Sequence, residues 1–229
     1  MLKKHVRLIV YSLVIIKIFF GIAIADPPAF VAGEHYTILR TTGITNLSFD
    51  KSSPENSQSK ITSNPQVIMF FNYGCYGCWR VNKDFTAWRL THNKAIDIYY
   101  YPVAFNDIWE SFAKFYYVNK ELQPNDDSED IFVGIHSDHK KLWLESEMIN
   151  FYSKKNISKE RFLNIYHSFD IERKVKKSME IAKMYDVHVT PNIVVNVKNM
   201  SYMINFTMVQ NIETLFKVID YLIKENPSS

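Results

Sequence analysis

With 229 residues, 47% of them hydrophobic and 15% aromatic, the chain can build a core of ordinary size without a disulfide framework. Its 6 glycines argue against a turn-rich all-β architecture, and it holds no Gly-rich phosphate loop, internal repeat or long low-complexity stretch. Four basic residues lie in the first 25, so the formal charge of +3 leaves 23 basic against 24 acidic residues beyond them, and no broad basic face for nucleic acid follows.

Lys3, Lys4 and Arg7 open the chain, an apolar stretch runs from Leu8 to Ile24, and Ala23-Ile24-Ala25 precedes Asp26. That is the pattern of a cleavable export signal over residues 1–25. Lys17 interrupts the stretch, so no run of about 18 apolar residues is left for a spanning helix. Retention as a membrane anchor is the alternative. Either way the body crosses a membrane into a compartment where disulfides persist.

Glu34 to Leu39 reads as a first strand, and the polar segment from Thr41 to Asn64 as a loop of low order. Val67-Ile68-Met69-Phe70-Phe71 reads as a buried strand, and the residues from Trp79 as a helix with Val81, Phe85 and Trp88 inward. Ile96 to Val103 gives another strand. Phe105, Trp109, Phe112 and Tyr116 share one face of a helix capped by Asn106. An acidic turn over 124–130 leads to a helix around Lys141 to Lys154, then two more capped by Ser158 and Asp170. Ile193-Val194-Val195 and Tyr202 to Phe206 suit a hairpin around Lys198-Asn199, and Asn211 caps a last helix ending before Pro227.

The chain's two cysteines stand at the junction of the buried strand and the helix, as Cys75-Tyr76-Gly77-Cys78. At a helix N-terminus, unpaired backbone N–H groups and the helix dipole favour a thiolate over a thiol. Positions i and i+3 lie about 5–6 Å apart, within reach of a disulfide. The placement predicts an exposed Cys75 with a depressed pKa and an inward Cys78 thiol. It points to thiol–disulfide exchange with no cofactor beyond the Cys75–Cys78 pair itself.

The strand with its C-x-x-C, the helical stretch from Asn156 to Tyr185, and Val189-Thr190-Pro191-Asn192-Ile193 together resemble the bacterial periplasmic thiol:disulfide oxidoreductases of the DsbA type. The resemblance implies an α/β thioredoxin fold, a central mixed sheet flanked by helices, with an inserted all-helical domain. Its organisation would be a signal peptide at 1–25, an N-terminal strand and polar loop at 26–64, and a first thioredoxin part with the C-x-x-C at 65–104. A helical insertion at 105–187 and a second thioredoxin part with a cis-proline loop at 188–229 would follow. It further implies Cys75 as the attacking and Cys78 as the resolving residue, with Thr190, Pro191, Tyr76 and Gly77 binding substrate. Reduced or unfolded exported proteins would be the clients, a membrane protein of the DsbB type the redox partner, and the periplasm the location.

Three departures from that family's pattern stand out. Met69 occupies the strand position where a buried acid is usual. Tyr76-Gly77 replaces the proline and histidine of the strongest oxidants, which implies a less oxidising disulfide. Thr190 before Pro191 is more like the periplasmic isomerases and reductases, so a disulfide isomerase or reductase is the nearest alternative. A metal-binding thioredoxin-like protein is a second. One C-x-x-C supplies two thiolates, and His136-Ser137-Asp138-His139 lies beyond the acidic loop, so no metal ligands are assigned. His188, close to Pro191, is a candidate neighbour of the thiolate. Lys174, Lys176 and Lys177 read as a solvated helix face.

Overall fold

The computed structural model describes residues 29–39, 64–123 and 128–225. The segment read as an export signal and nearly all of the polar 41–64 segment lie outside them. Strand β2 (Gln66–Phe71) is the buried strand expected from its apolar run, with all six residues buried. It pairs in parallel with β3 (Asp97–Pro102) and antiparallel with β4 (Asn192–Val197). Strand β4 forms a hairpin with β5 (Met200–Asn205), and β1 (Thr37–Leu39) closes the far edge, giving the order β1-β5-β4-β2-β3.

The parallel β2–β3 pair requires a crossover, and helix α1 (Tyr76–His92) supplies it. Between β3 and β4 lie α2 (Asp107–Leu122), α3 (Glu129–His136), α4 (Glu145–Ser153), α5 (Lys159–Tyr166) and α6 (Phe169–Met184). Helix α7 (Ile212–Glu225) follows β5. Strand alternation sends β2 into two cores. Val67, Met69 and Phe71 meet Cys78, Val81 and Phe85 of α1 and Leu215 and Ile219 of α7. Ile68 and Phe70 pack on Ile181, Ala182 and Tyr185 of α6. A strand covered on both faces has no polar side to show, which explains its unbroken apolar sequence.

Several local readings need correction. Strand β1 begins at Thr37 because Gly33, at φ 85°, donates its N–H to the carbonyl of Tyr36 (2.7 Å) and turns Glu34 and His35 out of the strand. Phe105 precedes α2, where it stacks on Trp109 and stays 41% exposed, while Phe112 and Tyr116 are buried. Glu129 and Asp130 are not turn residues but open α3, whose Ile131 and Phe132 are buried. The cap of α6 is Ser168, whose Oγ accepts from the N–H of Ile171; Asp170 sits in the first turn and pairs with Arg173 and Lys174. Lys174 also bonds Glu121, so it ties α6 to α2 instead of only facing solvent.

Candidate functional site

Cys75 is the N-cap of α1. Its extended backbone (φ −88°, ψ 112°) turns Sγ over the first helical turn, where it accepts from the N–H of Cys78 at 3.2 Å. Both cysteines are thiols in this structure. The Cys78 thiol donating to Cys75 Sγ, more than the backbone N–H groups of Cys78 and Gly77, pulls the Cys75 pKa down to about 7 against the opposing effect of burial. The helix terminus thus contributes as expected, but the partner sulfur contributes more. Burial pushes the Cys78 thiol well up, and the Cys75 sulfur beside it adds to the shift. One sulfur is held ready to ionise and the other is held protonated.

Cys75 is more covered than a surface nucleophile at a helix end would be, at 9% exposure. The cause is the loop before β4. The carbonyl of Thr190 lies 3.5 Å from Cys75 Sγ, and the Thr190–Pro191 peptide is cis, as the resemblance implied. Gly77 allows this approach: a Cβ there would lie 3.1 Å from Pro191 Cδ. Tyr76, by contrast, is 60% exposed. All six residues singled out in the sequence, Cys75, Tyr76, Gly77, Cys78, Thr190 and Pro191, are therefore brought to one spot.

The Thr190 hydroxyl is buried beside the two sulfurs and, as a hydrogen-bond donor to the ionised form, lowers the pKa of both. Thr190→Val removes that donor while keeping the shape. We expect alkylation of Cys75 by iodoacetamide at pH 6 to slow by about two- to fivefold, the worth of one modest hydrogen bond. Unchanged rates across the pH series would show the hydroxyl to be idle.

Met69 lies on the same face of β2 as Cys78, and both line a cavity of about 30 Å³ shared with Asn82, Arg89, Lys120 and Ser128. Among the described residues, no carboxylate lines it. A space of that size admits a water molecule where polar groups line it. His188 is not a neighbour of the thiolate: it is exposed and pairs with Asp186 at 2.8 Å. Among the described residues, no three His, Cys, Asp or Glu side chains converge as a metal site.

The residue that sequence reasoning set aside is His136. The last turn of α3 carries it back onto α1, where its ring stacks on Trp79 (5.2 Å, 8°) and meets Tyr76 edge-on (5.9 Å). Its Nε2 is 2.8 Å from the carbonyl of Tyr73, two residues before Cys75. Nothing in the spacing could have announced this, because the acidic segment at 124–130 concealed α3 and hence where it points.

No protein-family model matches the chain. The thiol:disulfide interchange protein DsbA of Pseudomonas aeruginosa is 27% identical over 220 residues, 96% of each chain. That of Burkholderia cepacia is 26% identical over 206 residues, 90% of each. The crystal structure of Pseudomonas aeruginosa DsbA aligns with a TM-score of 0.70 at 27% identity, covering 86% of this chain and 94% of that one. The oxidoreductase DsbA from Xylella fastidiosa also gives 0.70, at 21% identity over 86% of this chain and 97% of its own, a likeness of fold. A thioredoxin-like sheet, a helical block between β3 and β4, and one cysteine pair capping α1 make this chain a homologue of the DsbA-type thiol:disulfide interchange proteins.

Proposed function

We propose that the chain is an exported thiol:disulfide oxidoreductase that passes its Cys75–Cys78 disulfide to reduced proteins in the periplasm. The observation that carries this is the asymmetric pair: a Cys75 sulfur ionising near neutrality beside a buried Cys78 thiol that does not. A client thiolate attacks Cys75 of the disulfide, because the better-stabilised thiolate would be the atom re-formed and its sulfur is the one with an opening to solvent. Cys78 leaves with the electron pair and takes up a proton. A second client thiolate then attacks the client sulfur of the mixed disulfide and releases Cys75 as thiolate. The client has lost two electrons and gained a disulfide; the chain has become a dithiol.

Thr190, Pro191, Tyr76 and Gly77 are the residues we assign to client binding. An extended client segment can pair with the backbone at Thr190, and the exposed ring of Tyr76 offers it apolar surface. Attack of Cys78 in the reverse direction needs its proton removed, and the polar cavity behind it serves in place of a buried acid at Met69. Reoxidation falls to a membrane partner of the DsbB type. The cysteine pair is the whole redox apparatus.

The direct test mixes the oxidised chain with a reduced, unfolded, disulfide-containing protein at pH 7 and follows client thiols. Stoichiometric oxidation faster than by glutathione disulfide at equal concentration is expected, and Cys75→Ser abolishes it. A wild-type chain no faster than glutathione disulfide would overturn the reading.

A further inference from the structure

The four residues Asn72 to Cys75 form a β-turn, closed by a 3.1 Å hydrogen bond from the N–H of Cys75 to the carbonyl of Asn72. Its central peptide joins Tyr73 to Gly74, and both polar ends of that one peptide are held by side chains. The Gly74 N–H donates to Asn72 Oδ1 at 2.8 Å, and the Tyr73 carbonyl accepts from His136 Nε2 at 2.8 Å. Asn72 is fully buried, and its Nδ2 donates to the carbonyls of Val103 (2.7 Å) and Trp109 (3.0 Å). Its amide is thereby fixed against the end of β3 and the first turn of α2. Burial pushes the His136 pKa below its ordinary value, which leaves the ring neutral at pH 7 with its proton on the nitrogen facing the carbonyl.

This turn needs such holding because its third residue is glycine. A turn with glycine there has two forms that differ by reversal of the central peptide, one of them with positive φ at the glycine. Among the described residues only Gly33 is a glycine with positive φ, so Gly74 is in the other form. An alanine would suppress the flip, but a Cβ at Gly74 would meet the Phe112 ring at 3.0 Å and Asn72 Oδ1 at 3.3 Å. Packing against α2 thus dictates the glycine, and the glycine leaves the peptide free to reverse unless its ends are tied.

We infer that His136, from the helical insertion, is a positioning residue for Cys75: by holding the Tyr73 carbonyl it locks the turn that seats the attacking sulfur on the N-terminus of α1. The role rests on the oxidoreductase reading above and adds to it a part for the insertion. The ring stack on Trp79 fixes the imidazole plane so that its donor points at the turn.

Two substitutions separate the donor from the ring. His136→Phe keeps an aromatic ring against Trp79 and loses the N–H; His136→Gln keeps a donor at the reach of Nε2 and loses the ring. Both are compared with wild type for Cys75 alkylation from pH 5 to 9 and for the redox equilibrium with glutathione, after urea denaturation has established that each folds. His136→Phe should slow alkylation at pH 6 by about three- to tenfold and shift the redox equilibrium correspondingly, the loss of one well-aligned hydrogen bond. His136→Gln should stay within about twofold of wild type. Equal slowing in both variants, or slowing in neither, overturns the inference. Failure of wild type itself to oxidise a reduced client would instead overturn the function proposed above, since alkylation reads the sulfur without any client.

Discussion

Cys78→Ser is expected to accumulate mixed disulfides on Cys75, and Cys78→Ala to form them far more slowly at acidic pH. Both variants lack the sulfur that would expel a bound client, so adducts persist and multiple turnover is lost. The two should differ because the Cys78 thiol is the largest influence lowering the Cys75 pKa. Serine leaves a hydroxyl able to donate to the Cys75 thiolate, whereas alanine leaves none. With that donor gone, alkylation of Cys75 at pH 6 should fall by about tenfold in the alanine variant, one pKa unit being a factor of ten in thiolate. The serine variant should lie between alanine and wild type. Mass spectrometry of adducts formed when the Cys75 thiolate attacks an unfolded client mixture that carries disulfides, alongside the pH–rate profile of alkylation, checks both parts. If Cys78→Ser gathers no adducts while the reduced wild-type chain exchanges with the same client disulfides, the assignment of Cys75 as the exchanging sulfur is wrong.

The second large effect is in stability. The reduced chain should gain stability over the oxidised chain as pH rises from 7 to 9, then lose it again above 9. Cys75 ionises near 7 in the fold against an ordinary 9.0, so its thiolate favours the folded dithiol fully above 9, and that contribution is lost as pH falls through 7. Two pKa units correspond to about 2–3 kcal/mol. Cys78 works the other way: its pKa is raised by burial, so above 9 the unfolded chain ionises it and the folded chain does not. The oxidised chain has neither thiol, and the difference between the two forms removes every other titrating group. Urea denaturation of both forms at pH 6 to 10 measures it. A difference that stays flat between pH 6 and 9 would show that no thiolate is preferentially held by the fold. The same free energy favours the dithiol over the disulfide, which is what makes the disulfide an oxidant.

Much of this was legible in the chain, for identifiable reasons. Strand β2 announced itself because both of its faces are buried, and the Cys75 junction because only the Asn72–Cys75 turn separates the strand from the helix. The caps Asn106, Ser158 and Asn211 were visible as lone side chains ahead of periodic apolar residues, and each accepts the N–H expected of a cap. Asp170 misled because it is a good cap residue two places after a better-placed one, and as a first-turn acid it still favours the helix. Short helices were harder. Helix α3 has eight residues and begins in acids, so its two turns leave little periodicity to detect. With α3 hidden, the contact of His136 with Trp79 and Tyr73 was beyond reach, since it joins residues separated by 57 and 63 positions. The cover that Thr190 places over Cys75 was hidden for the same reason: it spans 115 positions.

The packing of Phe30 has a bearing on how the domain is presented. Its ring meets Tyr221 of α7 at 5.4 Å, and the neighbouring Asp220 accepts from Trp88 Nε1 at 2.9 Å. Trp88 is near the last turn of α1, about 20 Å along the axis from Cys75 at the first. A tether joined ahead of Phe30 would therefore hold the molecule by its base and leave the Cys75 end of α1 on the far side.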